Sequence, residues 1–443
     1  MQEGIIVFGL GITGVSSAQA LSKLGYKVYV YVDQRDEKYR ASLEELKDFE
    51  VEGIEDVDNI NWSEFSYLLK SPGIKLDNPF ILLAQDKGVE VVSDIELAYR
   101  IWRNIKFVAI TGTNGKTTTT HLVSSILTAA SINNKMVGNV GIGLLAEVVK
   151  WGLDYVYVLE MSSFQLATSS TFRAPVACLT NITADHIDWH KSLEEYVKAK
   201  LQITKNQTSD DLIIVNADEP SSELVKEITK AQIREVSTNK SVEKGTYCLG
   251  EDIIIDGVMS MIKKSDINLV GEHNLQNTLF AIELSKGLGV EEEFIRQGIR
   301  NLSPIEHRIE KVTNIKGVDY YNDSKGTNVD STVKALDGFT EPIILIAGGY
   351  DKNADYSSLF ENRSNIKKLI LFGQTKYKIK DHASSHGLDS IICDDLTQAV
   401  NLAYSNADKG DVVLFSPACA SWDMYKNFEE RGQHFKNLVK GLI

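Results

Sequence analysis

The chain has 443 residues, a formal net charge of −14 and a pI near 5.2. This length exceeds what one hydrophobic core usually supports, so two or three domains of about 100–200 residues are expected. The acidic balance argues against a nucleic-acid surface, which needs clustered Lys and Arg. The four cysteines lie far apart, the start lacks a basic leader, and no apolar run approaches the ~18 residues of a membrane span. The sequence therefore predicts a soluble cytoplasmic protein without membrane contact.

The N-terminal region begins an alternation of short apolar runs and helix-length amphipathic stretches, a pattern typical of α/β folds with parallel sheets. The pattern predicts a strand at Ile5–Phe8, a glycine turn at Gly9–Gly14, a helix at Val15–Leu24 and a second strand at Val28–Val32. Asp33 follows 19 residues after Gly14, as in a dinucleotide-binding fingerprint. A dinucleotide-binding fold needs two mononucleotide-binding halves. The segment before Phe107, where a second phosphate-binding motif begins, has room for only about one of them. We therefore expect the first domain to hold a single nucleotide.

The central region opens with the most informative motif of the chain. A predicted strand, Phe107–Thr111, and a predicted helix, Thr119–Ala130, enclose the loop Gly112-Thr113-Asn114-Gly115-Lys116-Thr117-Thr118. Its glycines let N–H groups converge on an anion, Lys116 adds a charge, and the Thr117 hydroxyl suits Mg²⁺. Only two residues separate the glycines, so the loop is a shortened variant. It predicts a nucleoside triphosphate site; the alternative is a glycine turn that begins an ordinary helix.

Polar side chains follow other predicted strands of the central region. Glu160 closes the apolar run that begins at Tyr155, where a metal ligand facing the phosphate loop would lie; a surface acid is the alternative. His186, in the polar segment after the strand Val176–Leu179, is either a ligand or a structural histidine. A later helix, Leu193–Ile203, carries Lys198 and Lys200, whose side chains differ by about 200° in direction. Only one of these lysines can face the site.

The C-terminal region begins after Leu302-Ser303-Pro304, which interrupts a helical stretch and is interpreted as a linker. Three further buried strands are predicted at Ile343–Ala347, Leu369–Phe372 and Val412–Phe415. Cys419 follows the last strand without a paired histidine signature, so we interpret it as a buried thiol rather than a nucleophile. The predicted domains are residues 1–102, 103–303 and 304–443.

Several motifs together resemble one family. They are Thr111 to Thr118, Glu160-Met161-Ser162-Ser163-Phe164-Gln165-Leu166, Asn181 to Asp188, Gly271 to Asn277, His307-Arg308, Asn322-Asp323-Ser324-Lys325 and Ser416 to Gly432. In this order they resemble the Mur ligase family over the whole chain. The resemblance implies three domains: a Rossmann-like N-terminal domain, a central P-loop ATPase-like domain with a parallel sheet, and a Rossmann-like C-terminal domain.

The resemblance also implies an activity. The C-terminal motif is similar to that of members that join D-glutamate to UDP-N-acetylmuramoyl-L-alanine through an acyl phosphate, using ATP and two Mg²⁺ ions, in peptidoglycan precursor synthesis. A monomer is expected. The alternatives are another Mur-type or folylpolyglutamate-type ligase, a P-loop switch without ligation, or an NAD-dependent enzyme.

The family's functional residues map onto this sequence position by position. The resemblance implies catalytic roles for Lys116, Glu160, His186, Lys200 and Arg308. It implies ATP contacts at Gly112, Thr113, Asn114, Gly115, Lys116, Thr117, Thr118, Asn277, Arg308 and Asp323. It implies contacts with the UDP-linked substrate at Thr13, Asp33, Arg35, Ser71, Gly73, Asn139, Ser162 and His186, and with D-glutamate at Lys325, Thr327, Lys352, Ser421 and Phe428.

The implied metal ligands are Thr117, Glu160, His186 and Lys200. The resemblance makes Lys200 a carbamylated lysine that acts at the second metal, because it stands four residues after Tyr196 and directly before Leu201. Two positions depart from the family pattern. Trp422 replaces a smaller apolar residue, and Gly326 replaces an alanine.

Overall fold

The computed structural model describes residues 4–269, 271–361 and 363–442. Its chain forms two compact units, Met1–Ile267 with Gln276–Asn301 and Asn268–Leu275 with Leu302–Ile443. Three sheets organise these units, each built mainly from parallel strands with helical connections. The predicted α/β fold class is therefore confirmed. In the part of the chain that the structure describes, no helix has the length and apolar character needed to cross a membrane.

The first sheet has five parallel strands in the order β3-β2-β1-β4-β5. The elements are β1 Gly4–Phe8, α1 Ile12–Lys23, β2 Lys27–Tyr31, α2 Glu37–Leu46, β3 Val51–Gly53, β4 Phe65–Lys70, α3 Pro79–Asp86, β5 Glu90–Val92 and α4 Asp94–Ile101. α1 begins three residues earlier than predicted because Gly14 belongs to the helix. A Cβ atom there would lie 1.8 Å from Gly9 O, so this glycine permits close packing of helix and turn.

The second sheet has nine strands in the order β14-β13-β12-β11-β10-β9-β6-β8-β7. Its strands are β6 Lys106–Thr111, β7 Asn134–Gly138, β8 Val156–Glu160, β9 Val176–Leu179, β10 Leu212–Asn216, β11 Gln232–Ser237, β12 Gly245–Leu249, β13 Asp252–Ile255 and β14 Val258–Lys263. Its helices are α5 Lys116–Ala129, α6 Leu144–Trp151, α7 Ser163–Leu166, α8 Ile187–His190, α9 Leu193–Leu201, α10 Ser221–Ile228, α11 Glu272–Gly287 and α12 Glu292–Arg300. β12, β13 and β14 form an antiparallel extension that the sequence did not predict.

The third sheet has six strands in the order β15-β16-β20-β17-β18-β19. The elements are β15 Glu310–Ile315, β16 Val318–Asn322, α13 Val329–Leu336, β17 Ile343–Ala347, β18 Ile366–Leu371, α14 Lys376–Ser385, β19 Ser390–Ile392, α15 Leu396–Asn406, β20 Val412–Phe415 and α16 Phe428–Lys440. β15 pairs with β16 in the antiparallel direction, and the other pairs are parallel.

The first two sheets share one hydrophobic core, which explains why three sheets form two compact units. Buried residues of α4 and α6 belong to this core, among them Leu97 and Leu144. The buried Glu96 carboxylate adds polar contacts, since it accepts hydrogen bonds from the backbone N–H groups of Thr171 (3.0 Å) and Phe172 (2.9 Å). The domain boundaries expected after residues 102 and 303 remain predictions.

Candidate active site

The loop predicted to bind phosphate joins the carboxyl end of β6 to the first turn of α5. Gly112 has a φ of +147° and Gly115 a φ of +86°, values that favour glycine. A Cβ atom on Gly112 would lie 1.9 Å from Thr180 Oγ1, and one on Gly115 would lie 2.3 Å from Asn277 Oδ1. Both glycines are therefore required by this geometry. The amide of Asn277, a predicted ATP contact, lies beside the loop.

Polar residues after β9 hold this loop in place. Asn181 Oδ1 accepts a hydrogen bond from Asn114 N (3.0 Å), and its Nδ2 donates to Asn114 O (3.1 Å). The Thr180 hydroxyl donates to the same carbonyl (2.6 Å), and the Thr113 hydroxyl hydrogen-bonds the Tyr196 hydroxyl of α9 (2.9 Å). The sequence marked a polar strand end here but did not predict that Thr180 and Tyr196 fix the loop. The available signal was the polar pair Thr180-Asn181 directly after β9.

Two lysines converge on one carbonyl group of the loop. Lys116 Nζ donates to Gly112 O (2.9 Å) and Thr113 O (2.8 Å), and Lys200 Nζ donates to the same Gly112 O (2.5 Å). Lys200 is 1% exposed, whereas Lys198 lies at the surface. Burial holds the pKa of Lys200 well below its ordinary value, and the charge of Lys116 lowers it further. The structure agrees with the prediction that only one of these α9 lysines faces the site.

Glu160 ends β8 at the sheet edge where the phosphate loop begins, because β8 pairs with β6 and Glu160 lies opposite Ile110. Its buried carboxylate accepts a hydrogen bond from Asn139 Nδ2 (2.8 Å). Thr117 is buried in the first turn of α5. Within the described ranges, no three His, Cys, Asp or Glu side chains are grouped closely enough to hold a metal. A hydroxyl and one carboxylate nevertheless suit Mg²⁺, which keeps several waters and binds substrate phosphates.

His186 lies at the start of α8 in the left-handed conformation, with a φ of +53°. Its side chain is about one-third exposed, its Nε2 is 3.7 Å from Asp185 Oδ2, and its ring is edge-on to Phe164 at 4.9 Å. The nearby Ser162 caps α7 through Gln165, since each side chain accepts a hydrogen bond from the other residue's backbone N–H. The protein thus holds Ser162 rigidly and leaves the His186 ring accessible.

The predicted contacts with the UDP-linked substrate in the N-terminal region lie beyond the carboxyl ends of β1, β2 and β4. Thr13 lies in the first turn of α1, whereas Asp33, Arg35, Ser71 and Gly73 lie in the segments that follow β2 and β4. The Ser71 hydroxyl donates to Gly9 O (2.9 Å), joining the turns after β4 and β1. Asp33 Oδ2 accepts from Asn78 Nδ2 (2.9 Å), and the Arg35 guanidinium donates to two backbone carbonyls at 2.6 and 2.9 Å. The structure brings these residues to the carboxyl end of one parallel sheet, where such sheets bind ligands.

In the second unit, Asp323 follows β16 and is buried. It accepts hydrogen bonds from Ser416 Oγ (2.7 Å) and Ile309 N (3.3 Å). Burial raises the pKa of the Asp323 carboxyl to about 6, against the opposing charge of Arg308. These two predicted ATP contacts are therefore electrostatic neighbours. A Cβ atom on Gly326 would lie 2.5 Å from Asp323 Oδ2, so the departure from alanine leaves room for this carboxylate.

Each of the two lysines predicted to contact D-glutamate lies near an aromatic ring. Lys325 Nζ lies 5.1 Å from the centre of the Phe428 ring, and Lys352 Nζ lies 5.7 Å from that of Trp422. Trp422 is 59% exposed and directly follows the buried Ser421. Thr327 N donates to Lys325 O (2.9 Å). Trp422 is thus one of the partners of the predicted glutamate-binding lysines.

Arg431 connects the loop that carries Lys325 with the loop that carries Ser421, a role that sequence analysis missed. It is 1% exposed; Nε and Nη2 donate to Ser324 Oγ (3.0 Å) and O (2.7 Å). Nη1 donates to Cys419 O and Ala420 O, both at 3.1 Å. Burial lowers the pKa of the guanidinium to about 10. Cys419 itself is a buried thiol, as predicted.

Comparison with known proteins gives the same domain order. The Mur ligase MurD-like N-terminal domain matches residues 3–93, the Mur ligase middle domain matches 110–285, and the Mur ligase glutamate ligase domain matches 307–419. The chain belongs to the Mur ligase family. Members of this family are ATP-dependent amide ligases that use Mg²⁺, so the predictions of a three-domain architecture and of an ATP-dependent ligase are confirmed.

The chain is 40% identical over 453 residues to the UDP-N-acetylmuramoylalanine–D-glutamate ligase of Caldanaerobacter subterraneus subsp. tengcongensis, covering 100% of this chain and 99% of that protein. It is 39% identical over 448 residues to the enzyme of the same name from Clostridioides difficile, covering 99% and 98%. Among solved structures, a UDP-N-acetylmuramate–alanine ligase from Thermotoga maritima has a TM-score of 0.65 and 18% identity, with full coverage of both chains. This likeness shows the fold.

Proposed function

We propose that this protein joins D-glutamate to UDP-N-acetylmuramoyl-L-alanine, with conversion of ATP to ADP and phosphate, in peptidoglycan precursor synthesis. The observation that carries this assignment is the 40% identity, over the whole chain, to a UDP-N-acetylmuramoylalanine–D-glutamate ligase. The phosphate loop with its two lysines supports the ATP-dependent part. We place the enzyme in the cytoplasm as a monomer. The buried thiols of Cys178, Cys393 and Cys419, which form no disulfide, support a reducing compartment.

The first step activates a carboxylate, which is a poor acyl donor because its carbon is a weak electrophile towards an amine. An oxygen of the L-alanine carboxylate attacks the γ-phosphorus of ATP, the bond to the β–γ bridging oxygen breaks, and ADP leaves. Two anions must approach each other, and the Lys116 ammonium offsets their repulsion. In this proposal the loop from Gly112 to Thr118 binds the phosphates, and Asn277, Arg308 and Asp323 contact the nucleotide.

The second step forms the amide bond. The neutral amine of D-glutamate attacks the acyl carbon, phosphate leaves, and the nitrogen loses a proton. The proposed binding residues fit a ligand with two carboxylates, because Lys325 and Lys352 supply ammonium groups and Thr327 and Ser421 supply hydroxyls. Phe428 packs against the Lys325 ammonium and restricts the orientations that this side chain can adopt.

Thr117, Glu160 and His186 are the proposed protein ligands of two Mg²⁺ ions, which neutralise charge on the transferred phosphoryl group when bound. The burial of Glu160 beside the phosphate loop supports this assignment, as does the accessible imidazole of His186. Asn139 fixes the Glu160 carboxylate through Oε1, so one oxygen is oriented by the protein. Asn139, Ser162 and His186 are further proposed to contact the muramoyl-L-alanine end of the substrate.

Lys200 is proposed to be carbamylated. The neutral amine attacks CO₂, a C–N bond forms, and the nitrogen loses a proton to solvent. Its buried position and lowered pKa favour the neutral amine that this reaction needs. The product is an anion beside Lys116, so the Lys116 ammonium gains a neighbour of opposite charge.

A phosphate-release assay with each substrate omitted in turn tests the proposed function. We expect release only when ATP, UDP-N-acetylmuramoyl-L-alanine and D-glutamate are all present, with ADP and the dipeptide nucleotide formed in equal amounts. Release from ATP alone at the full rate would indicate a hydrolytic switch. Activity with a folate acceptor in place of the UDP-linked substrate would indicate a folylpolyglutamate-type ligase.

A further inference from the structure

Lys70 is a buried cation that the roles assigned above do not explain. It ends β4 and is 2% exposed. Its Nζ donates to Ser71 O (3.2 Å) and Pro72 O (3.1 Å), the carbonyls of the next two residues. Burial lowers the pKa of the ammonium to about 7, against the opposing charge of Asp94. Removing a lysine from water is unfavourable, so a purely structural position at a strand end would favour an apolar side chain.

The two hydrogen bonds orient the turn that follows. In a trans peptide, the C=O and N–H groups point in opposite directions. Because the Pro72 carbonyl points towards Lys70 Nζ, the N–H of Gly73 points away from it. Gly73 is exposed, and a Cβ atom added to it would meet no other atom within 4 Å. The turn therefore presents a backbone donor on its open side, where an anionic or carbonyl oxygen of a ligand can accept it.

Lys70 also joins this turn to two other segments. Its Nζ lies 5.6 Å from the centre of the Trp189 ring in α8, the helix that follows His186. Asp94, the charged group that acts on Lys70, is buried, and its Oδ2 accepts a hydrogen bond from Leu144 N (2.9 Å) at the start of α6. Burial raises the pKa of the Asp94 carboxyl to about 6. Lys70 thus ends a strand of the first sheet beside α8 and interacts electrostatically with Asp94, which is hydrogen-bonded to the start of α6.

We infer that Lys70 is a positioning residue for the UDP-linked substrate: its ammonium holds the Ser71-Pro72-Gly73 turn in its binding conformation and fixes that turn against α8. This inference rests on the proposed function and on the family resemblance, which implies that Ser71 and Gly73 contact the UDP-linked substrate. Lys70 acts through the turn. Its loss should weaken binding of the nucleotide substrate without changing the chemical step.

Lys70→Met tests this role, because methionine fills similar space but donates no hydrogen bond. Binding of UDP is measured by calorimetry, and the KM for each substrate by phosphate release. We expect the Kd for UDP and the KM for UDP-N-acetylmuramoyl-L-alanine to rise about tenfold, as the loss of two charged hydrogen bonds implies. The kcat and the KM values for ATP and D-glutamate should stay within about twofold. Lys27→Met, at the exposed first residue of β2, is the matched control and should resemble wild type.

Lys70→Gln provides a second variant that keeps a polar donor but removes the charge. We expect an intermediate rise of about threefold in the same KM. If Lys70→Met does not fold, this variant decides alone, and an unchanged KM overturns the inference. A folded Lys70→Met that melts at a lower temperature but binds UDP like wild type also overturns it. Wild type that binds no UDP would instead refute the nucleotide assignment, and the inference with it.

Discussion

The phosphate loop of the first unit and the Ser416–Ser421 loop of the second unit both follow a buried parallel strand, and basic side chains hold both through backbone carbonyls. In the phosphate loop these side chains are Lys116 and Lys200, which share Gly112 O. In the second loop the cation is Arg431, whose three guanidinium nitrogens all donate to the protein. A lysine on a flexible stem can exchange a carbonyl for a phosphate and can lose its proton, whereas a buried guanidinium keeps its charge and its geometry.

This difference separates two uses of a buried positive charge. The lysines are available to the reaction, and we expect their loss to remove activity. Arg431 supports the loops that carry the proposed D-glutamate contacts, and we expect its loss to weaken binding of that substrate selectively.

Lys116→Ala should give the largest effect. It removes the charge proposed to face the triphosphate but no core side chain, so we expect turnover to fall at least ~10³-fold in a folded protein. Phosphate release and circular dichroism measure the two properties. Near wild-type release from the folded variant would refute the nucleotide assignment. Lys198→Ala is the control, because this exposed side chain is paired only with Glu194 (2.9 Å) and Glu195 (3.0 Å) among the described ion pairs.

Lys200→Ala should lose nearly all activity and regain part of it with added short carboxylic acids, which can occupy the position of the proposed carbamate. Wild-type activity should also fall when CO₂ and bicarbonate are removed at mildly acidic pH, where the carbamate is lost as the amine becomes protonated. If Lys198→Ala proved inactive, or Lys200→Ala remained fully active, the assignment of the carbamate to Lys200 would be wrong.

Glu160→Ala should raise the Mg²⁺ concentration needed for half-maximal activity and slow acyl phosphate formation, because a proposed metal ligand is removed. We expect a loss of about 10²-fold at low Mg²⁺ that higher Mg²⁺ partly restores. A magnesium titration of phosphate release measures both effects. Unchanged magnesium dependence would contradict the proposed metal role of this carboxylate.

Arg431→Met should raise the KM for D-glutamate about tenfold, since it releases the two loops that carry Lys325 and Ser421. The KM for the UDP-linked substrate should stay within about twofold. Arg431→Lys keeps the charge with fewer donors and should give an intermediate value. If all KM values were unchanged while the melting temperature fell, Arg431 would serve stability alone.

Gly326→Ala should give the smallest effect. The new Cβ would lie 2.5 Å from Asp323 Oδ2, so the carboxylate must shift, and we expect a rise of about threefold in the KM for ATP. Gly441→Ala is the control, since its nearest neighbour would be Leu438 O at 3.3 Å. An unchanged KM would mean that the Asp323 side chain adapts without consequence.

Strong local patterns allowed much of the fold to be predicted. The bounds of β9, β17 and β20 agree with the predicted strands, because continuous apolar runs mark buried parallel strands. The antiparallel strands β12 to β14 were missed, since their exposed positions include Leu249, Val258, Met259 and Met261, which mask the alternation of apolar and polar residues. Helix α1 was placed too late because the glycine-rich turn obscured its start.

The site was predictable where a motif carries its own geometry, as the phosphate loop does. The positions of Lys116 and Glu160 follow from local sequence, since Lys116 lies in the predicted phosphate loop and Glu160 closes a predicted strand. Arg431 and Lys70 could not be predicted in the same way. A charged residue in an amphipathic helix or at a strand end is normally solvated, and only tertiary packing shows that these two are buried.

The hydrophobic core shared by the first two sheets has a consequence for synthesis on the ribosome. The five strands of the first sheet are complete once Val92 has emerged, but α6 packs against both α1 and α4 and follows about 50 residues later. Before α6 has emerged, the apolar side of α4 cannot pack against it. The N-terminal region therefore completes its folding together with the central sheet during translation, rather than as a separate earlier event.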